Sequence, residues 1–241
     1  REAGLFDTAL TSVEDWDLWL RLTQRHEMGC VSQALARYRI YGGSMSTHAE
    51  RMHRNRLAVL TKHFGLPEGD PAAWSDEKRR AYAYAQRAAA LGYIAQGQAA
   101  QGWALLAEGA RLWPGLLAEL DTHYELACWD QPRGYRGEAS ALDLERNAAL
   151  LLAGLRNLFA QGEATLAPYR RPAFGQAHLA LAMLADQAGR WGLARRHLLR
   201  ALAADPRLLA ERGVLRRLGK LLLGRRLACR LRPRPLAQEA A

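Results

Sequence analysis

Cysteine is scarce in this chain, with three in 241 residues. Cys30, Cys128 and Cys229 are far apart and odd in number, so they provide neither a disulfide framework nor a metal-binding spacing, and they fit a reducing cytoplasm. Also lacking are a run of apolar residues long enough to cross a bilayer and a signal-peptide pattern. Acidic residues are the scarcer charge, 24 against 34 Lys and Arg, for a net charge of +10. Between residues 207 and 234, ten basic side chains face only Glu211, so that one stretch holds most of the excess. No aromatic residues interleave with it, which argues against nucleic acid as a partner. The remaining composition, 49% hydrophobic and 24% charged, belongs to a globular chain and not a disordered one.

The stretch from Thr11 to Leu22 concentrates the features that bear chemistry. Thr11 with Glu14, and Ser12 with Asp15, have capping-box spacing, which predicts a helix starting here with carboxylates at the positive end of its dipole. Capping alone accounts for acidic residues in a first turn. The helix is expected over about 16–25, with Leu18 and Leu22 on one face and Trp16 and Leu20 on another.

Three blocks in order carry a more specific signal. They are Leu5-Phe6-Asp7, then Val13-Glu14-Asp15-Trp16-Asp17-Leu18-Trp19-Leu20-Arg21-Leu22, then Tyr38-Arg39-Ile40-Tyr41-Gly42-Gly43-Ser44-Met45-Ser46. Together they resemble the second half of the catalytic domain of family 2 glycosyltransferases, over about the first quarter of the chain. The resemblance implies a truncated α/β remnant of the GT-A type, a helix with short strands, and an inverting sugar transfer. It makes Asp15 the general base and Glu14 its positioning neighbour, with Asp17 the competing candidate for the base. It places Phe6 and Asp7 on the acceptor side, where a plain strand-to-loop junction reads equally well. Trp19 is a candidate for stacking on a sugar, with helix packing as its alternative role.

Residues 37–40 alternate as in a short strand, which Gly42-Gly43 ends. The family usually has a His before this turn, near the diphosphate or metal, and this chain has Tyr41. Arg39, Tyr41 and Ser44 are the phosphate-side candidates, although a solvated hairpin end also explains them. The resemblance implies a divalent metal, Mg or Mn, and a nucleotide-sugar donor for the complete enzyme. The Asp-x-Asp motif that holds the metal would lie before this chain, which begins with Arg and reads as a fragment. Asp15-Trp16-Asp17 has the letters of that motif but the setting of the base motif. No metal or cofactor is expected on the fragment itself.

A basic helix follows from about His48 to Phe64, with Met52, Leu57 and Leu60 as its buried stripe and its charges as the wet face. Gly65 to Ser75 reads as a linker. Beyond it, Gly97, Gly102, Gly109 and Pro114 correspond to Gly189, Ala194, Ala201 and Pro206 at a constant offset, since 206 minus 114 and 189 minus 97 are both 92. With Ala90 and Ala182, these small residues resemble the tetratricopeptide repeat, a 34-residue helix pair, but 92 is not a multiple of 34, so the copies form no uninterrupted array. Between them lie an expected helix over about 116–129, a loop at Pro132-Gly134-Gly137, and an apolar helix over about 140–159. Leu208, Leu215, Leu218 and Leu222 keep helical spacing beneath the C-terminal charges, so an anionic membrane surface is a candidate partner there, beside a simply solvated last helix.

The expected architecture is therefore mostly α. Residues 1–64 are a fragment of a glycosyltransferase catalytic domain, 65–78 a linker, 79–224 a helical repeat-like domain and 225–241 a basic tail. Two functions follow. One is sugar transfer from a nucleotide-sugar donor to a glycan or lipid-linked acceptor, in the cytoplasm or at the inner face of the membrane. The other is a tetratricopeptide-like module that binds a protein partner and has no catalysis of its own.

Overall fold

The computed structural model describes residues 3–36, 47–131 and 139–230, with side chains as far as Leu221. Among the described residues there are nine α-helices and no strand. The short strand expected at 37–40, the loop at Pro132 to Gly137 and the tail beyond Arg230 lie outside them. In chain order the helices are α1 (Glu14–Thr23), α2 (Ala49–Phe64), α3 (Asp76–Ala95), α4 (Ala99–Leu112), α5 (Leu120–Ala127), α6 (Leu144–Ala160), α7 (Arg170–Gln187), α8 (Trp191–Ala204) and α9 (Arg212–Arg230).

The 92-residue offset recurs in the backbone. Helices α4 and α8 start at 99 and 191 and end at 112 and 204, both differences being 92. Each is followed by a Pro-led 3-10 turn, Pro114–Ala118 and Pro206–Ala210, and then by a helix, α5 or α9. Each hairpin bends at a glycine in the left-handed region, Gly97 at φ 81° and Gly189 at φ 71°. The following N–H closes the same reach-back in both copies, Gln98 to the Tyr93 carbonyl at 2.9 Å and Arg190 to the Ala185 carbonyl at 2.8 Å. Only glycine enters this conformation without a steric penalty of about 1 kcal/mol, so these two residues set the turns. Helices α2 and α6 play matching parts, each followed by a short 3-10 turn and packed on the first helix of its hairpin.

Small residues let the paired helices touch. A Cβ at Gly109 would lie 2.8 Å from the Ala83 carbonyl oxygen, and one at Gly102 2.7 Å from that of Ala90. The second hairpin crosses through Ala194 and Ala201, both fully buried. A continuous core of Leu106, Leu116, Leu117, Leu151, Leu155, Leu184 and Leu198 joins the two copies. Asn147 is buried within it and donates from Nδ2 to the Ala127 carbonyl at 3.0 Å and to Asp130 Oδ1 at 2.7 Å, tying the end of α5 to α6.

Several sequence expectations shift in register. The helix expected over 116–129 is broken, because Pro114 starts a 3-10 turn and Glu119 is extended, so α5 begins only at Leu120. On α2 the buried positions are Ala49, Asn55, Arg56, Val59 and the expected Leu60, and Met52 and Leu57 are only half-buried; the stripe is rotated and takes in two polar residues. On α9 the inward face is Val214, Leu218 and Leu221, whereas Leu215 is 48% exposed. The segment 65–78 includes a 3-10 turn, Pro71–Ala73, and the first residues of α3, capped by Ser75 Oγ, which accepts from Lys78 N–H at 3.2 Å. Trp74 stacks on Tyr82 with ring centroids 5.6 Å apart, and Tyr82 Oη donates to the Gly65 carbonyl at 2.8 Å.

His123 and His197 are buried and His178 is half-buried, and all three have pKa values pushed down to about 4, chiefly by desolvation. The last two share one hydrogen bond, Nδ1 to Nδ1 at 3.0 Å, between α7 and α8, with Arg196 and Arg200 adding to the depression. Their ordinary value is 6.5, so the unfolded chain binds the extra protons, and stability falls as pH drops from 6.5 to about 4. Urea midpoints measured across that range should show this slope. His178→Gln, which installs the residue found 92 positions earlier, should reduce it by about one proton. Gly109→Val should cost about 2 kcal/mol in chemical denaturation, because the Ala83 carbonyl cannot retreat.

Candidate functional site

Helix α1 is held to α2 by charge. Its one fully buried residue is Asp17, 0% exposed. Three cationic or imidazole groups converge on it. Arg21 reaches Oδ2 through Nε at 3.0 Å and Nη2 at 2.8 Å, Lys62 Nζ lies 2.9 Å from Oδ1, and His63 Nε2 is 3.0 Å from Oδ1. Burial alone would push the Asp17 carboxyl up, but hydrogen bonds from Lys62, His63 and Arg21 outweigh it and hold it below the usual carboxylate range. Lys62 also bonds Asp7 Oδ2 at 2.9 Å, and its own pKa is raised by the two carboxylates, Asp7 first. Hydrogen bonding from Lys62 likewise lowers Asp7. Arg21 further donates to the carbonyls of Ala3 and Leu5, which fastens the preceding loop to the helix.

Neither expected capping box forms. The N-cap is Val13, at φ 57°, with no side-chain cap. Thr11 is engaged elsewhere: its N–H donates to Asn55 Oδ1 at 3.0 Å and its Oγ1 accepts from Asn55 Nδ2 at 3.2 Å. Ser12 is buried, and its Oγ has no hydrogen-bond partner. A β-branched residue in the left-handed region is a strained conformation, and Val13 adopts it two residues after the point where Thr11 docks on α2.

Asp15 and Glu14 are half-buried in the first turn of α1. Asp15 Oδ1 accepts the Trp16 N–H at 2.9 Å. Two residues separate about 200° around a helix, so Asp15 points away from the Asp17 cluster, while Trp19, four residues on, shares the face of Asp15. Trp19 is 47% exposed and Phe6 57%. Trp16 is also exposed, with the Arg56 guanidinium 5.5 Å from its ring centre. Leu5, Met28, Val31 and Leu35 are exposed as well. The structure thus joins Asp7 to Asp17 through Lys62 and places Asp15 beside Trp19 in register. Arg39, Tyr41 and Ser44 lie outside the described residues.

The sequence reading missed Lys62, His63 and Asn55. The Asp17 to Arg21 spacing of four was legible as a helix pair, but nothing local marks the end of α2 as its partner. Among the described residues no group of three or more His, Cys, Asp or Glu is arranged to hold a metal. Asp15-Trp16-Asp17 is a poor fit for the implied divalent ion, because both Asp17 oxygens are taken by cations. At the other end of the chain, Lys220 pairs with Asp186 at 2.8 Å and lies over Trp191, and Arg217 lies 3.7 Å from the same carboxylate, so two of the C-terminal cations are turned inward. No helix among the described residues is long and apolar enough to cross a membrane. No family model matches the chain, and comparison with curated proteins and with solved structures returns no match.

The Asp17 cluster has a measurable consequence. Its folded carboxyl lies below the unfolded value of 3.8, so its contribution is complete above about pH 4 and is lost as pH falls through the folded value. Asp17→Asn should destabilise α1 by about 2 kcal/mol at pH 7, less than for a dry pair because Lys62 is partly exposed. Hydrogen exchange should show α1 released while α3 to α8 keep their protection.

Proposed function

We propose that this chain is the acceptor-side part of an inverting glycosyltransferase of family 2, with Asp15 as the base. The observation that supports it best is the division of labour on α1: Asp17 is closed off by three partners, while Asp15, on the opposite side, stands one helical turn from an open Trp19. In the reaction, Asp15 takes the proton from the acceptor hydroxyl, that oxygen bonds to the anomeric carbon, and the bond from that carbon to the nucleoside diphosphate breaks. Trp19 and Phe6 offer ring faces to the acceptor glycan or lipid-linked sugar, and Glu14 positions the base. The nucleotide-sugar donor and its divalent metal belong to the other half of such a domain. The exposed Leu5, Met28, Val31 and Leu35 suit a surface which that half would cover. The site works in the cytoplasm, at the inner face of the membrane when the acceptor is lipid-linked.

A second reading, a helical scaffold that binds a protein partner without turnover, is favoured by the duplication of the hairpin unit. The two separate on one experiment. With this chain joined to its nucleotide-binding half, Asp15→Asn should lower kcat about 10²- to 10⁴-fold with donor binding and melting temperature unchanged. Full activity in that variant would leave the scaffold reading.

A further inference from the structure

The two copies of the hairpin unit differ beside Tyr82 and its counterpart Phe174. In the first copy Tyr82 is 2% exposed, and Leu57, Phe64, Trp74 and Leu112 pack around it with Leu60 and Ala85. At the positions 92 residues on, Phe174 replaces Tyr82, and Ala203 and Ala204 replace Arg111 and Leu112. Phe174 packs on Phe159 with ring centroids 6.1 Å apart, and beside it lies a solvent-open depression of about 490 Å³ lined by Phe174, Ala203, Ala204, Arg156, Arg170 and Arg171.

The cations at this place also differ. In the first copy Lys78 Nζ donates to the Leu66 carbonyl at 2.6 Å and lies over Trp74, and Arg79 pairs with Asp76. Their counterparts Arg170 and Arg171, together with Arg156 from α6, have no ion-pair partner among the described residues. Candidate neighbours are engaged elsewhere: Glu163 by Arg111, and Asp205 by the Arg207 N–H. Arg170 and Arg171 also begin an 18-residue helix with no acidic residue in its first turn and no side-chain cap, so positive side chains meet a positive helix end. Three exposed guanidiniums with no ion-pair partner among the described residues, around a mainly apolar floor, match an anion with an apolar or ring-shaped body.

We propose that this depression binds an organic phosphate, with the phosphate oxygens on Arg156, Arg170 and Arg171 and the ring portion against Phe174 and the two alanines. The depression is shallow and open, so the ligand is held through the three guanidiniums and one apolar face. The assignment rests on the comparison of the two copies and is independent of the reading of Asp15.

Calorimetry on the full chain with ADP as probe, and inorganic pyrophosphate beside it, tests this. ADP should bind at one site. Arg170→Ala with Arg171→Ala should weaken both ligands at least tenfold. Ala204→Leu, which restores the plug of the first copy, should weaken ADP at least tenfold while leaving pyrophosphate within about twofold. Ala203→Leu serves the same purpose at an exposed position if the first variant does not fold. Arg212→Ala with Arg216→Ala, which removes basic charge elsewhere, should change neither ligand by more than about twofold. The proposal is overturned by an absence of saturable ADP binding at millimolar concentration, by indifference to the plug, by equal loss in the Arg212 and Arg216 variant, or by displacement of ADP by an acidic peptide of matched charge.

Discussion

The close approach of paired helices at Gly102, Gly109, Ala194 and Ala201 is the constraint on which the rest of this molecule depends. Backbone carbonyls of Ala83 and Ala90 stand where a larger residue would put its side chain. Contact at that range brings the flanking leucines into one close-packed core, in which a single extra methylene is felt. The turns at Gly97 and Gly189 then fix where each return helix begins, and the Pro-led 3-10 turns fix where it ends. Because both copies obey the same constraint, their return helices α4 and α8 begin and end at corresponding residues, and the surfaces around them can diverge without loss of the frame.

Divergence is where function has room. The first copy fills the space beside Tyr82 with Trp74 and Leu112, and in the second Phe174 and Phe159 lie beside three arginines with no ion-pair partner among the described residues. The polar crossing changes in the same way: Gln86 donates to Glu108 at 3.2 Å in one copy, and His178 meets His197 beside Arg200 in the other. Helix α1 follows a different rule. It is joined to α2 through Asp17 and Asn55 with little apolar burial, which places it at the low end of the local stability range. That attachment leaves its opposite face, with Asp15 and Trp19, open to a ligand or a covering surface.

Much of the helical frame was legible because its signals are local. The spacing of apolar positions marked helices such as α2 and α6, and the 92-residue correspondence marked the repeat. The errors share a cause. Capping boxes at Thr11 and Ser12 failed because Asn55, 44 residues from Thr11, claims the first of them. The stripe on α2 was misplaced because Asn55 and Arg56 are buried by α1, and periodicity assigns polar residues to solvent. Leu215 was assigned inward and Val214 was not, since neighbours one residue apart are told apart only by what they pack against.

Taken alone, the amino-acid sequence determined the helical class, the duplication, the turn positions and the acidic motif at the head of α1, all properties of residues within a few turns of one another. Tertiary structure decided which aspartate is neutralised, which cations are paired and where a depression lies. Those outcomes depend on pairs such as Asp17 with Lys62 and Phe174 with Ala204, which are remote along the chain and come within reach only when the helices pack. Charge and volume act through distance in space, and that distance exists only in the folded molecule.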